Sequence, residues 1–118
     1  MKTVITFGTF DVFHVGHLRL LQRARALGER LLVGVSSDAL NIAKKGRAPV
    51  YHQDDRMAII AGLACVDGVF LEESLEQKAE YLRGYSADIL VMGDDWAGKF
   101  DSFALRDPLI ISPKRNHV

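Results

Sequence analysis

Two histidines, His14 and His17, flank a glycine in the run Gly8-Thr9-Phe10-Asp11-Val12-Phe13-His14-Val15-Gly16-His17. Imidazole N–H groups donate to phosphate oxygens, and Gly16 lets a ligand come close to the backbone. A helix starting here adds free N–H groups and the positive end of its dipole, which favour the same anion. A spacing of three also occurs in metal sites. The chain, however, has four histidines and one cysteine, with His52 and His117 elsewhere, so no closed four-ligand site is visible. The run is neither Gly-x-x-x-x-Gly-Lys nor Gly-x-Gly-x-x-Gly, so neither a P-loop nor a dehydrogenase fingerprint is supported.

Further candidates lie downstream. In Met92-Gly93-Asp94-Asp95-Trp96, the paired carboxylates suit a divalent metal, ribose hydroxyls or the capping of a turn. Trp96 stands where core packing does not demand a tryptophan. Lys44-Lys45-Gly46-Arg47 supplies three cations that could close over a polyphosphate, although a charge run is usually a solvated surface. Arg56 opens a helix, where its charge opposes the dipole, and this conflict points to an anion facing it. Lys78 sits one turn into another helix.

The elements that must position these residues alternate. Thr3–Phe7, Leu31–Val35, Val69–Leu71, Ile89–Met92 and Leu109–Ser112 are short apolar runs that read as strands. Leu20, Leu21, Ala24 and Leu27 keep helical spacing, with Gly28 as the stop. Met57, Ile60, Ala61 and Ala64 mark a second helix starting at Asp54 or Asp55. Ser74 and Gln77 have capping-box spacing ahead of Leu75, Ala79 and Leu82. Asn41–Gln53 is polar and reads as a mobile loop. The alternation predicts an α/β fold: an open, Rossmann-like parallel sheet of about five strands with helices on both faces. Ligands of such sheets bind beyond the carboxyl ends of the strands, where the strand order reverses. The histidine run and Gly93-Asp94-Asp95 follow strands that end there.

At 118 residues the chain reads as a single domain spanning residues 1–118. Fifteen basic and fifteen acidic side chains cancel, which argues against a nucleic-acid binder while leaving room for a local basic pocket. Cys65, the lone cysteine, cannot pair internally. No apolar run reaches the ~18 residues of a membrane span. Met1 to Ile5 runs directly into a strand without a signal-like organisation, so a cytoplasmic location is expected.

Gly8-Thr9-Phe10-Asp11 with His14-Val15-Gly16-His17 resembles the signature of the small cytidylyltransferases of the HxGH nucleotidyltransferase superfamily. Lys44 and its neighbours, Tyr51-His52 before Arg56, Val66-Asp67, Glu76-Gln77-Lys78 and the stretch Met92 to Asp101 resemble the glycerol-3-phosphate cytidylyltransferase branch. The likeness runs from about Thr3 to Asp101. It implies the same open α/β sheet and the reaction of CTP with glycerol 3-phosphate to give CDP-glycerol and pyrophosphate, with Mg²⁺. It further implies that Thr9, Phe10, His14, Gly16 and His17 hold CTP phosphates, and that Asp94 and Arg115 also serve the nucleotide. Lys44 and Lys78 would contact the phosphorylated substrate, with Arg56 beside them. His14, His17 and Lys44 would be catalytic, and Asp94 would approach the metal. A homodimer is implied too, with Val12, Phe13 and Val15 near its shared face.

The resemblance departs after Ser112. The family closes with Arg-Thr-x-x-Ile-Ser-Thr-Thr and a final helix, whereas Pro113-Lys114-Arg115-Asn116-His117-Val118 stands here. The expectation is weak CTP binding unless Lys114 and Arg115 suffice. Two other readings stay open: a related enzyme for another phosphorylated substrate or nucleotide, and a non-catalytic nucleotide-binding module.

Overall fold

The computed structural model describes residues 1–74, 77–93 and 110–112. In chain order the elements are β1 (Thr3–Gly8), α1 (Val15–Arg25), β2 (Arg30–Ser36), α2 (Asp38–Lys45), α3 (Gln53–Ala61), β3 (Gly68–Glu72), α4 (Lys78–Gly84), β4 (Ile89–Gly93) and β5 (Ile110–Ser112). The strands form one parallel sheet in the order β3-β2-β1-β4-β5. The winding reverses between β1 and β4, which places the switch point at the carboxyl end of β1.

Each strand alternates its side chains between the sheet's two faces, and both faces are covered. Val4, Leu31, Val33, Val35, Ile89 and Val91 pack with Leu21 and Ala24 of α1 and Ile60 of α3. Ile5, Phe7, Leu32, Leu90 and Met92 pack with Leu82 of α4 and Ala87. Burial on both faces explains why these strands read as continuous apolar runs. Full burial of a side chain such as Leu21 contributes about 1.5–3 kcal/mol. At Gly28, which follows α1, a Cβ would lie 2.6 Å from the Lys2 carbonyl oxygen, so the chain can pass there only as glycine.

Three sequence expectations change. Asn41 to Lys45 belongs to helix α2, so the irregular segment begins only at Gly46. The eight-residue α2 is held by its ends: the Ser37 side chain accepts the Leu40 N–H, Lys44 and Lys45 face the negative end of the dipole, and Gly46 caps it at φ 79°. Second, α4 starts at Lys78 with Gln77 as its N-cap and no side-chain capping bond, so the Ser74–Gln77 pair is not its start signal. Third, α3 ends at Ala61, which leaves Ala64 beyond it. Among the described residues, no helix is long and apolar enough to cross a membrane.

Candidate active site

β1 ends at Gly8, and the next six residues form the loop that reaches α1. A Cβ on Gly8 would lie 2.8 Å from the Phe10 ring, so glycine here lets that ring fold back over the strand end. Phe10 and Val12 adopt φ 52° and 49°. For a β-branched residue such as Val12 this left-handed backbone is strained, a feature that clusters at functional sites.

The loop closes on the two histidines. His14 is the N-cap of α1, and its Nδ1 accepts the Gly16 N–H at 2.9 Å. His17 Nδ1 accepts the His14 N–H at 3.2 Å, which completes a reciprocal capping box. An Nδ1 that accepts carries no proton, so each neutral ring holds its proton on Nε2. Among the described residues neither Nε2–H has a hydrogen-bond partner, so both donors stand available at the positive end of a helix. The rings stack at 3.9 Å, and Phe10 and Phe13 pack against His17. Burial lowers the His17 pKa from its ordinary value and the neighbouring His14 lowers it further, against the opposing pull of Asp11. His17 is therefore neutral at physiological pH.

A cleft of about 670 Å³ opens beside this loop, lined on one wall by Phe10, Asp11 and His17 and on the other by Lys45, Arg47 and Val50. Asp11 joins the walls. Its Oδ2 accepts the Val50 N–H at 2.6 Å, and its Oδ1 accepts from Tyr51 at 2.8 Å and Val12 at 3.1 Å. Burial alone would raise the Asp11 pKa, but these N–H donors and the charge of Arg56 hold it below the usual carboxylate value. Thr9 Oγ1 donates to Asn41 Oδ1 at 3.0 Å, so its proton serves the fold.

Behind the cleft lies Arg56, whose side chain has no exposure. Its Nε donates to the Tyr51 carbonyl at 2.9 Å, its Nη1 to those of Thr9 at 2.9 Å and Ser36 at 2.8 Å, and its Nη2 to Asp38 Oδ1 at 2.7 Å. Asp38 and Gln53, the first residues of α2 and α3, bond each other reciprocally. Burial would raise the Asp38 pKa, but the bond to Arg56, with Gln53 and His52, lowers it. Lys78 is equally enclosed, at 2% exposure, paired with the buried Glu72 and 4.3 Å above the Phe7 ring. Its burial lowers the ammonium pKa against the pull of Glu72, and the charge of Lys44 adds to the lowering.

A cytidylyltransferase-like family model matches residues 5–110 of this chain. The chain belongs to the cytidylyltransferase-like family. It is 46% identical over 119 residues to the glycerol-3-phosphate cytidylyltransferase of Bacillus subtilis (strain 168), covering 100% of this chain and 91% of that one. It is 40% identical over 101 residues to the glycerol-3-phosphate cytidylyltransferase of Staphylococcus aureus (strain NCTC 8325 / PS 47), covering 86% of this chain and 76% of that one. Among solved structures, the lipopolysaccharide core biosynthesis protein from Thermoplasma volcanium GSS1 superposes with a TM-score of 0.79 at 26% identity, covering 95% of this chain and 97% of that chain.

In this cytidylyltransferase-like fold, Thr9, Phe10, His14, Gly16 and His17 come together at the switch point, on the first loop and the start of α1. Lys44 lies in the last turn of α2 and is not part of a loop, and it is Lys45, the helix's final residue, that lines the cleft. Arg56 requires a correction. The anion facing it is Asp38, and the protein takes four of its five N–H donors, so the helix-start conflict marks a structural tie and not a free cation. Lys78 likewise meets Glu72 before any substrate. Asp94, Trp96, Lys114 and Arg115 lie outside the described residues. Sequence reasoning missed the ties made by Asp11, Asp38, Asn41 and Glu72. The only available signals were Asp11 inside the histidine motif and Asp38 directly after a capping serine.

Proposed function

We propose that this chain, acting as one nucleotidyltransferase domain over residues 1–118, transfers CMP from CTP to glycerol 3-phosphate and yields CDP-glycerol and pyrophosphate. The observation that carries this reading is the paired histidine cap, which leaves two Nε2–H donors for a ligand at the switch point. The names of the relatives supply the two substrates.

The phosphate monoester is largely dianionic at neutral pH, since its second pKa is about 6. Its oxygen attacks the α-phosphorus in line without needing a strong general base. The new phosphorus–oxygen bond forms as the bond to the β-phosphate bridging oxygen breaks, and pyrophosphate leaves. Catalysis then consists of positioning and stabilisation of charge. His14 and His17 donate to oxygens of the transferring group. Lys45 and Arg47 hold the polyphosphate from the opposite wall. Lys44 lies near enough to Lys78 for their charges to interact, which favours a phosphorylated second substrate there.

Mg²⁺ enters this proposal as the counter-ion of CTP. The described residues contain no group of three metal-ligating side chains, and the Asp11 oxygens already accept from backbone donors. The described residues thus do not fit a protein-held ion, and no step is derived through one. A homodimer joined near Val12 and Val15, which are 50% and 54% exposed beside the histidines, completes the proposal, as does a cytoplasmic location. Pyrophosphate release over four nucleotides and several phosphorylated alcohols tests the assignment. CTP with glycerol 3-phosphate is expected to give the highest kcat/KM, and a different best pair overturns it.

A further inference from the structure

The wall of the cleft between Gly46 and His52 has little apolar anchoring. Of residues 46–52 only Pro49 is even half-buried, and Val50 is 77% exposed. The described ties that hold this wall are polar. Asp11 accepts two successive N–H groups from it, those of Val50 and Tyr51, and a third from its own neighbour Val12. On the far side of Tyr51, the carbonyl accepts from Arg56, which also holds the carbonyl of Thr9, two residues before Asp11. Both walls of the cleft are thus referred to one carboxylate and one guanidinium.

We propose that Asp11 is a positioning residue of the nucleotide site: its carboxylate ties the Arg47–Tyr51 wall to the histidine loop and so sets the gap that the triphosphate must fill. The proposal rests on the transferase reading for its ligand. Backbone N–H groups fill three of the roughly four acceptor positions of this carboxylate, so its part in the site is to hold the loop. It acts through Arg47, which the tied wall presents to the cleft beside Lys45 of α2.

Two variants test this from opposite ends of the tie. Asp11→Asn keeps the shape but turns an NH₂ group toward a backbone N–H. Val50→Pro deletes one donor and leaves the carboxylate untouched, so it carries the test if Asp11→Asn does not fold. In each, KM for CTP is expected to rise about tenfold or more, the scale of one lost hydrogen bond to a charged group, while kcat changes less. The double variant should be no worse than the more impaired single variant, because both break the same tie. Trypsin, acting after Lys45 and Arg47 on the nucleotide-free protein, should cut both variants faster than the parent. Parental KM and parental tryptic rates in both variants overturn the proposal, as does a fall in kcat with KM unchanged. The proteolysis arm separates the two readings. Faster cleavage in the variants of a parent that releases no pyrophosphate upholds the tie and contradicts the transferase; normal turnover with unaltered variants does the reverse.

Discussion

The imidazoles of His14 and His17 stack with centroids 3.9 Å apart and planes inclined by 30°, and each Nδ1 accepts a backbone N–H of the same helical turn. The two rings therefore work as one unit. The helix start fixes their tautomers, with the remaining proton of each neutral ring on Nε2. Phe10 and Phe13 keep the His17 ring from turning away.

His17→Ala should lower kcat by roughly 10²–10³, the cost of removing one preorganised donor aimed at transition-state charge. KM for CTP should move far less. The fold should survive, since one helix-cap bond is worth about 1 kcal/mol. Steady-state kinetics with a urea titration of the same preparation check both parts; kcat within a few-fold of the parent removes His17 from catalysis.

The pH dependence has a definite sign. His17 has its pKa lowered in the folded chain, by burial and then by His14. Its contribution to stability is therefore complete above the ordinary histidine value of about 6.5 and is lost as pH falls through the lower folded value. Activity should fall only at the low end of that range, as the folded His17 itself takes up a proton, because a protonated Nδ1 opposes the His14 N–H it now accepts. Urea midpoints and kcat measured between pH 7.5 and 5 follow this, and the loss of stability should be smaller in His17→Ala.

Arg56→Met should destabilise the fold by about 3 kcal/mol or more, since each acceptor left without its donor costs roughly 1–3 kcal/mol. It strands Asp38 and the carbonyls of Thr9, Ser36 and Tyr51 together. Arg56→Lys should recover little, since an ammonium cannot reproduce a planar fork of donors. Unchanged stability with a raised KM for glycerol 3-phosphate would instead make Arg56 a substrate contact.

Lys45 and Lys44 should separate by substrate. Lys45→Ala is expected to raise KM for CTP, and Lys44→Ala to raise KM for glycerol 3-phosphate and slow turnover, each by about tenfold or more for a lost charge-assisted bond. Kinetics with each substrate varied in turn read the split, and equal effects on both substrates would argue against it.

The sheet was legible because buried parallel strands are apolar on both faces, as Leu31 to Val35 and Ile89 to Met92 are. That legibility carried the location of the site, since a parallel sheet with short connections puts the residues after β1 at the switch point. Helix α2 was not legible, because its eight residues are too few to set a clear helical period, one of its two buried residues is the polar Asn41, and it relies on the Ser37 and Gly46 caps. Arg56 showed its conflict with the helix dipole, but its partner Asp38 lies 18 residues away, where only the fold brings the two together. The His14–His17 cap had the spacing of a capping box, with imidazoles in place of the usual hydroxyl and carboxylate.

The proposed reaction moves a cytidylyl group with His14 and His17 as donors. Phosphorus NMR of a reaction mixture of the chain, CTP and glycerol 3-phosphate tests it most directly. The CDP-glycerol diphosphate signals and pyrophosphate should appear in equal amounts, and both should be nearly lost in the His14→Ala/His17→Ala double variant. Release of inorganic phosphate in place of pyrophosphate, or undiminished CDP-glycerol formation by the double variant, would contradict it.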